Sequence, residues 1–211
     1  MSNLLLVTSS LFGDNSKSAQ IAREFVDAWR DAHPRTSVVE RPLTPDTIPH
    51  LSLDALGAVM TPADQRSPAQ IASVAFADRL IAELEAADTI VLAVPMYNFT
   101  VPSTLKAWID HVAQAGRTFR YTANGPEGLL TGKQVFVITG RGGVYSGDAP
   151  AKVLDFQEPY LRGMLGFLGL TDVTFIHVEG LNLGAEAAER GFEAARQRIA
   201  VLLPQEQVAA A

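Results

Sequence analysis

Residues 89–102 read TIVLAVPMYNFTVP, and this stretch decides the fold. Its first part, 89–94, is an apolar run rich in β-branched side chains, which is typical of a strand buried on both faces. The run stops at Pro95, and residues 96–99 carry more apolar and aromatic surface than an ordinary turn requires. A helical pattern starts directly behind Pro102. The stretch predicts a buried strand that continues through an unusual loop into a helix.

Four further apolar runs share this character, and helical patterns separate them. They lie at residues 4–7, 37–39, 135–139 and 173–178. Strands that alternate with helices form βαβ crossovers, so the sheet is parallel, and continuously apolar strands need helices on both faces. The sequence therefore predicts one α/β domain over residues 1–211, a doubly wound five-stranded parallel sheet in the flavodoxin-like order 2-1-3-4-5. Ligands of such sheets bind at the carboxyl ends of the strands, which directs attention to the loops after strands 1, 3 and 4.

Composition excludes several kinds of function. The 211 residues contain no cysteine, so disulfides, thiol nucleophiles and iron–sulfur ligation are ruled out. A net charge of -6 argues against a nucleic-acid partner. The apolar run near the N-terminus is too short for a signal peptide or a membrane span, so we expect a cytoplasmic protein without a membrane partner. No metal site is predicted, because the histidines lack ligand spacing: His33, His50, His111 and His177.

Two segments leave their roles open. Residues 42–68 contain five prolines between the second strand and the second long helix, a length typical of lids and subunit contacts. A short helix over 53–59 that packs locally is an equally good interpretation of that segment. Residues 205–211 are expected to fray.

The loop after the first strand has the character of an anion site. Ser10, Ser16 and Ser18 supply hydroxyl groups, and the helix that begins near Ser18 points its free N–H groups toward the strand tip. The segment matches neither GxGxxG nor GxxxxGK[ST], so a dinucleotide fingerprint and a Walker loop are unsupported. A single phosphate monoester suits it best. The alternative is that Ser16 or Ser18 merely caps the helix.

The loops after the third and fourth strands complete the same edge of the sheet. Residues 96–99 offer stacking surface and backbone hydrogen bonds together, as a flat heterocycle requires. Gly140, Gly142 and Gly143 let the backbone approach a ligand closely, and their N–H groups suit the pyrimidine end of a flavin, where negative charge grows on reduction. Either loop alone is equally consistent with core packing or an empty turn; together with an anion site they favour a flavin.

These segments resemble the FMN-dependent NADH-azoreductases, also called NAD(P)H:quinone oxidoreductases. The likeness runs over nearly the whole chain, and PMYNF together with TFRYTANGPEGL is its most specific part. It implies FMN as cofactor, NADH or NADPH as electron donor, and a quinone or azo compound as acceptor. It also implies a homodimer whose active sites lie at the subunit interface. Two alternatives stay open: an FMN reductase that releases reduced flavin, and a flavodoxin-like carrier or regulator without turnover.

The resemblance also implies roles for individual residues. No side chain is assigned a catalytic role, because hydride passes to N5 of the flavin. Gly140 stands where the family pattern has serine, so only a backbone contact is expected there. By the same analogy Phe119, Arg120 and Tyr121 wall the pocket over the flavin, against the alternative of a packed loop. The implied FMN contacts are Ser10, Ser16, Lys17 and Ser18 near the phosphate, Met96, Tyr97, Asn98 and Phe99 along the ring, and Gly140, Arg141, Gly142 and Gly143 at its far side.

Overall fold

The computed structural model describes residues 2–203, so the predicted fraying of 205–211 lies outside the described residues. The strands in this range are β1 (Ser2–Thr8), β2 (Thr36–Pro42), β3 (Thr89–Pro95), β4 (Phe119–Thr122), β5 (Gly125–Gly128), β6 (Gln134–Gly140) and β7 (Asp172–Val178). The α-helices are α1 (Lys17–Ala32), α2 (Leu53–Met60), α3 (Pro68–Ala86), α4 (Ser103–Val112), α5 (Gln157–Phe167) and α6 (Ala185–Leu202).

The main sheet has the predicted topology. Its five strands are all parallel and lie in the order β2-β1-β3-β6-β7, which is 2-1-3-4-5 when the sheet strands alone are counted. The short antiparallel hairpin of β4 and β5 lies outside this sheet and was not predicted. The strand order confirms the doubly wound arrangement and places the ends of β1, β3, β6 and β7 at one edge.

Helices cover both faces of the sheet. Leu80 of α3, Leu105 of α4 and Leu161 of α5 belong to the hydrophobic cluster on one face. Phe25 of α1 and Ile199 of α6 belong to the cluster on the other. The central strand β3 is buried at every position, as its continuous apolar sequence predicts. None of the helices within residues 2–203 has both the length and the apolar character that a bilayer crossing needs.

The proline-rich segment 42–68 contains a helix. Strand β2 extends to Pro42, and α2 follows with Ser52 as its N-cap, which accepts a hydrogen bond from the Ala55 N–H at 3.1 Å. The helix ends at Met60, one residue beyond the predicted 53–59. Much of α2 remains exposed, with Leu53 and Met60 almost fully open to solvent.

Close backbone packing at two glycines fixes the arrangement of these elements. A Cβ on Gly191, inside α6, would lie 2.1 Å from the carbonyl oxygen of Glu179, so only glycine lets α6 come this near the end of β7. A Cβ on Gly128 would lie 1.9 Å from the backbone nitrogen of Gly169, so the β4–β5 hairpin rests directly on the chain that follows α5.

Candidate functional site

A cavity of about 620 Å³ opens at the carboxyl edge of the main sheet. Because the strands are parallel, the loops after β1, β3, β6 and β7 all meet there. The cavity wall includes eight of the residues predicted to contact FMN: Ser10, Ser16, Lys17, Ser18, Met96, Tyr97, Gly140 and Gly142.

The start of α1 forms the polar end of the cavity. Ser16 caps the helix by accepting a hydrogen bond from the Ala19 N–H at 3.2 Å, and its hydroxyl lies 3.2 Å from that of Ser18. Both serines are buried, while the first N–H groups of α1 have no intrahelical carbonyl to bond. Ser16 is therefore a helix cap, and the same geometry presents hydroxyls, amides and the positive end of the helix dipole to an anion.

Gly140 closes this polar end from the side of β6. A Cβ at Gly140 would lie 3.3 Å from the Cβ of Ser18, which is tighter than ordinary contact. The glycine at the predicted serine position therefore lets the β6 loop lie against the start of α1. Met96 donates its N–H to the Gly140 carbonyl at 2.8 Å, which joins the β3 loop to the same point.

Residues 97–100 form a tight turn with unusual backbone angles. Tyr97 and Thr100 exchange two backbone hydrogen bonds, of 3.0 and 3.1 Å, and the residues between them have φ of 48° at Asn98 and 69° at Phe99. Positive φ at both central positions is the type I′ turn, in which asparagine is favoured first and glycine second. Phe99 stands where glycine is typical, at a cost of about 1 kcal/mol or more. Such strained residues concentrate at functional sites.

Tyr97 links this turn to the loop after β1. Its hydroxyl lies 3.3 Å from the hydroxyl of Ser10 and accepts a hydrogen bond from the Leu11 N–H at 3.2 Å. The Ser10 hydroxyl in turn accepts from the Phe12 N–H at 3.2 Å. These bonds hold the two loops in fixed positions relative to each other.

Arg141 and Gly143 are placed differently from their predicted neighbours. The side chain of Arg141 is fully buried, where it pairs with Asp155 at 3.1 Å and Glu179 at 3.2 Å. Its backbone N–H donates to the Val178 carbonyl at 2.8 Å. Arg141 does not line the cavity, because its side chain and its N–H are bonded to these partners, and its predicted contact with FMN stays a prediction. Asn98, Phe99 and Gly143 flank the cavity residues in sequence without lining it themselves.

The segment Phe119–Thr122 does not wall this cavity within one chain. Phe119 is buried against Phe167, with ring centroids 4.4 Å apart, as the packed-loop alternative predicts. Arg120 pairs with Glu127 across the β4–β5 hairpin. Tyr121 is 75% exposed and borders a second groove, of about 500 Å³, beside α2.

Sequence reasoning missed the contribution of the loop after β7. Ligands of parallel sheets bind at the carboxyl ends of the strands, and this holds for the fifth predicted strand as well as for strands 1, 3 and 4. The position of that strand could therefore have indicated that the loop behind it lines the cavity. The additional cavity residues are Leu181, Asn182, Ala185, Ala188, Glu189 and Phe192.

The donor set fits a flavin mononucleotide. The polar end at Ser16 and Ser18 suits a terminal phosphate, with Lys17 beside it as a cation. Pro95, Met96, Gly140 and Gly142 line the same cavity and leave room there for a ring system. No group of three or more His, Asp or Glu side chains among residues 2–203 is arranged to hold a metal ion.

His177 belongs to the charge cluster around Arg141. Its Nδ1 lies 2.9 Å from the Thr139 hydroxyl, and its Nε2 lies 3.1 Å from Glu158. Burial, and then the positive charge of Arg141, lower the pKa of His177 despite the opposing effect of the carboxylates of Glu158, Glu179 and Asp155. His177 is therefore neutral in the folded protein at pH 7.

We expect His177 to make folding stability fall as the pH is lowered. The unfolded chain takes up a proton near pH 6.5 while the folded chain resists it, so stability is retained above this pH and lost below it. Denaturant unfolding between pH 7.5 and 5.5 should show a shallower decline for His177→Gln than for wild type. His50→Gln, at an exposed position, should keep the wild-type slope. Equal slopes for all three proteins would contradict the assignment.

Comparison with known proteins finds a family and close relatives for this chain. A family model described as flavodoxin-like fold matches residues 2–203. An FMN-dependent NADH:quinone oxidoreductase of Azotobacter vinelandii is 50% identical over 200 residues, covering 95% of this chain and 98% of the relative. One of Aromatoleum aromaticum is 51% identical over 201 residues, covering 95% and 99%. The crystal structure of an azoreductase from Bacillus anthracis superposes with a TM-score of 0.87 at 29% identity, over 96% of this chain and 99% of that one.

Proposed function

This chain belongs to the flavodoxin-like family that includes the FMN-dependent NADH:quinone oxidoreductases, and on that premise we propose that it is an FMN-dependent NAD(P)H reductase of quinones. Azo compounds are proposed as a second class of acceptor, in keeping with the name of its structural relative. The balanced reaction consumes NAD(P)H, a proton and a quinone, and yields NAD(P)⁺ and the hydroquinone.

One observation carries the proposal: the residues that suit a phosphate group and the residues that suit a flavin ring line the same cavity at the edge of the sheet. Ser16 and Ser18 lie at one end, and Met96 and Gly142 line the same space. When bound, FMN supplies two-electron chemistry, with hydride taken from NAD(P)H and electrons passed to the acceptor in ping-pong order. The protein binds and orients the cofactor through loops that are already hydrogen-bonded to one another.

Each loop is proposed to contact a different part of the cofactor. The hydroxyls of Ser16 and Ser18 and the amides of α1 hold the phosphate, with Lys17 compensating its charge. The backbone of the β3 and β6 loops follows the edge and far side of the ring. No side-chain acid or base is required, because the donor hydride and the solvent proton complete the reaction.

The test is direct. Purified protein supplied with FMN should be yellow, bleach on addition of NADH or NADPH, and oxidise the nicotinamide continuously when menadione is present. Loss of FMN on gel filtration together with release of reduced flavin would indicate an FMN reductase instead. Retention of FMN without oxidation of either nicotinamide would indicate a carrier. Failure to turn over any quinone or azo dye would refute the proposal.

Substitutions of Asn98 test whether its side chain or its backbone contributes to FMN binding. Because a lost hydrogen bond costs about 1 kcal/mol, we expect Asn98→Ala and Asn98→Gly each to weaken FMN binding by about fivefold. Glycine tolerates the φ of 48° at this turn position, so Asn98→Gly removes the side chain without straining the backbone. Fluorescence titration of FMN measures both constants. Wild-type affinity in Asn98→Gly would show that only the backbone matters.

We further propose that the enzyme is a cytoplasmic homodimer, with segment 42–68 in the subunit contact. Exposed apolar side chains support this: Leu53 and Met60 on α2 and Tyr121 on the hairpin lie beside the 500 Å³ groove or next to its lining residues. A patch of this kind on a monomer marks an interaction site. The second copy would cover the groove and bring the Phe119–Thr122 strand to its neighbour's cavity.

A charge placed in this patch should abolish the dimer. We expect wild type to sediment as a dimer and Met60→Glu as a monomer, because the carboxylate would lose its water on association. Val201→Glu is the matched control, since Val201 is equally apolar and exposed but lies near the end of α6. A dimeric Met60→Glu, or a monomeric wild type, would overturn this assembly.

A further inference from the structure

The guanidinium of Arg141 is the largest fully buried side chain in the described part of the protein. It directly follows Gly140 and precedes Gly142, both of which line the cavity. A buried arginine costs several kcal/mol in desolvation unless its partners compensate for it. A buried arginine between two residues of the cavity wall is therefore not explained by packing alone.

The partners of Arg141 come from the start of α5 and from the end of β7. Its Nε donates to Gln157 at 3.1 Å, and the Gln157 amide donates to the carbonyl of Val94 at 3.2 Å, at the end of β3. Its Nη1 pairs with Asp155, which accepts from the first N–H groups of α5, and with Glu179 at the end of β7. One side chain thus joins the ends of three strands and the start of a helix.

Glu179 carries this network into the β6 loop. Its carboxylate accepts from the Tyr145 N–H at 2.9 Å and from the Ser146 hydroxyl at 2.5 Å. The turn after β3 is tied to the same region, because the Phe99 carbonyl accepts from the Phe156 N–H at 3.1 Å. The two loops proposed to hold the flavin ring are therefore both anchored through neighbours of Arg141.

The charges around Arg141 do not cancel. Asp155 and Glu179 lie within 3.2 Å of its guanidinium, and Glu158 lies 3.9 Å from Nη2. Nη2 is buried and has no hydrogen-bond partner. Three carboxylates surround Arg141, and Glu158 also pairs with Arg162, so the carboxylates still outnumber the arginines and removing Arg141 would concentrate negative charge directly behind the cavity wall.

We infer that Arg141 is a positioning residue that holds the β3 and β6 loops in their flavin-binding arrangement, and that its charge favours the more negative, reduced cofactor. This inference rests on the proposed function. A unit charge about 10 Å away through an effective dielectric of about 20 changes the binding of one extra negative charge by roughly tenfold. Substitutions that keep or remove the charge of Arg141 can therefore test its positioning role and its charge effect separately.

The experiment compares affinity for oxidised FMN with the midpoint potential of bound FMN, which together give the affinity for the reduced form. Arg141→Lys keeps the charge but loses the planar fork that reaches several acceptors, so oxidised FMN should bind about tenfold more weakly at an unchanged potential. Relative to wild type, Arg141→Gln should in addition lose about tenfold more affinity for reduced FMN than for oxidised FMN, which lowers the two-electron potential of the bound cofactor by about 30 mV.

Two further variants keep the inference open to refutation. Glu158→Gln removes a carboxylate from the same cluster at a partly exposed position, so it should shift the potential upward. If Arg141→Gln fails to fold, the direction of the potential shift in Glu158→Gln still tests the charge effect. Arg162→Gln removes an exposed arginine that also pairs with Glu158 and should leave the affinity for oxidised FMN unchanged.

The outcomes separate the two proposals. Wild-type binding of oxidised FMN by Arg141→Lys overturns the positioning role. An unchanged potential in a folded Arg141→Gln, or in Glu158→Gln if the former does not fold, overturns the charge role. Weakened binding and the expected opposite shifts support both roles. Wild-type protein that binds no FMN overturns the proposed function and this inference together.

Discussion

Ser16→Asp is expected to weaken FMN binding by about 100-fold or more while α1 stays intact. Aspartate is as good an N-cap as serine, so the bond from the Ala19 N–H should survive the change. Its carboxylate would face the cofactor phosphate, and two like charges about 4 Å apart repel by about 4 kcal/mol at an effective dielectric of 20. Part of this repulsion is screened by water, which leaves roughly the 2.7 kcal/mol that corresponds to 100-fold.

Riboflavin and a second serine provide the controls for this result. Riboflavin lacks the phosphate, so its affinity should change by no more than about threefold, well under 1 kcal/mol. Ser52→Asp makes the same substitution at the N-cap of α2, outside the cavity, and should bind FMN as wild type does. Isothermal titration of the apoprotein measures all three affinities. An equal loss for FMN and riboflavin would show that the phosphate lies elsewhere.

Gly128→Ala is expected to destabilise the protein by about 3 kcal/mol or more. The new Cβ would lie 1.9 Å from the nitrogen of Gly169 and 2.2 Å from the carbonyl carbon of Leu168, and neither backbone atom can rotate away. The hairpin must therefore lift off the chain after α5, which also breaks the bond from the Leu130 N–H to the Leu168 carbonyl. For a chain of 211 residues the melting temperature should fall by about 10 °C.

Gly163→Ala is the matched control for this substitution. Gly163 lies exposed inside α5, and a Cβ at this position would have no other atom within 4 Å. Alanine there should be neutral or stabilise the protein by about 0.5–1 kcal/mol, because it favours the helix. Differential scanning calorimetry compares the two variants. A cost below 1 kcal/mol at Gly128 would mean that the hairpin accommodates the extra methyl group.

The sequence was sufficient to predict the main sheet because its strands are continuously apolar. Burial on both faces leaves a strong local signal, as in β3, and the alternation with helices restricts the topology to few arrangements. The β4–β5 hairpin was missed because its four-residue strands lack alternating hydrophobicity. Helix α2 was predicted only as one of two alternatives, since its exposed apolar residues give no clear inward face.

The site was partly predictable for a different reason. Serines and glycines at strand ends are visible in the sequence, and they lie close together because the carboxyl ends of parallel strands meet at one edge of the sheet. The charge cluster around Arg141 was not visible in the sequence, because Asp155 and Glu179 are distant from Arg141 along the chain and come together only in the folded protein. The strained turn at Phe99 was hidden as well, since phenylalanine is not the residue that a type I′ turn indicates.

The missing methyl group at Gly191 has a consequence for engineering this protein. A glycine inside an exposed helix is the first position that a thermostabilisation campaign based on helix propensity would change to alanine. At Gly191 that change would force α6 away from Glu179, and α6 carries Ala188 and Phe192 in the wall of the cavity. The position of one wall of the cavity therefore depends on a glycine that helix propensity alone would replace, and variant libraries should keep it unchanged.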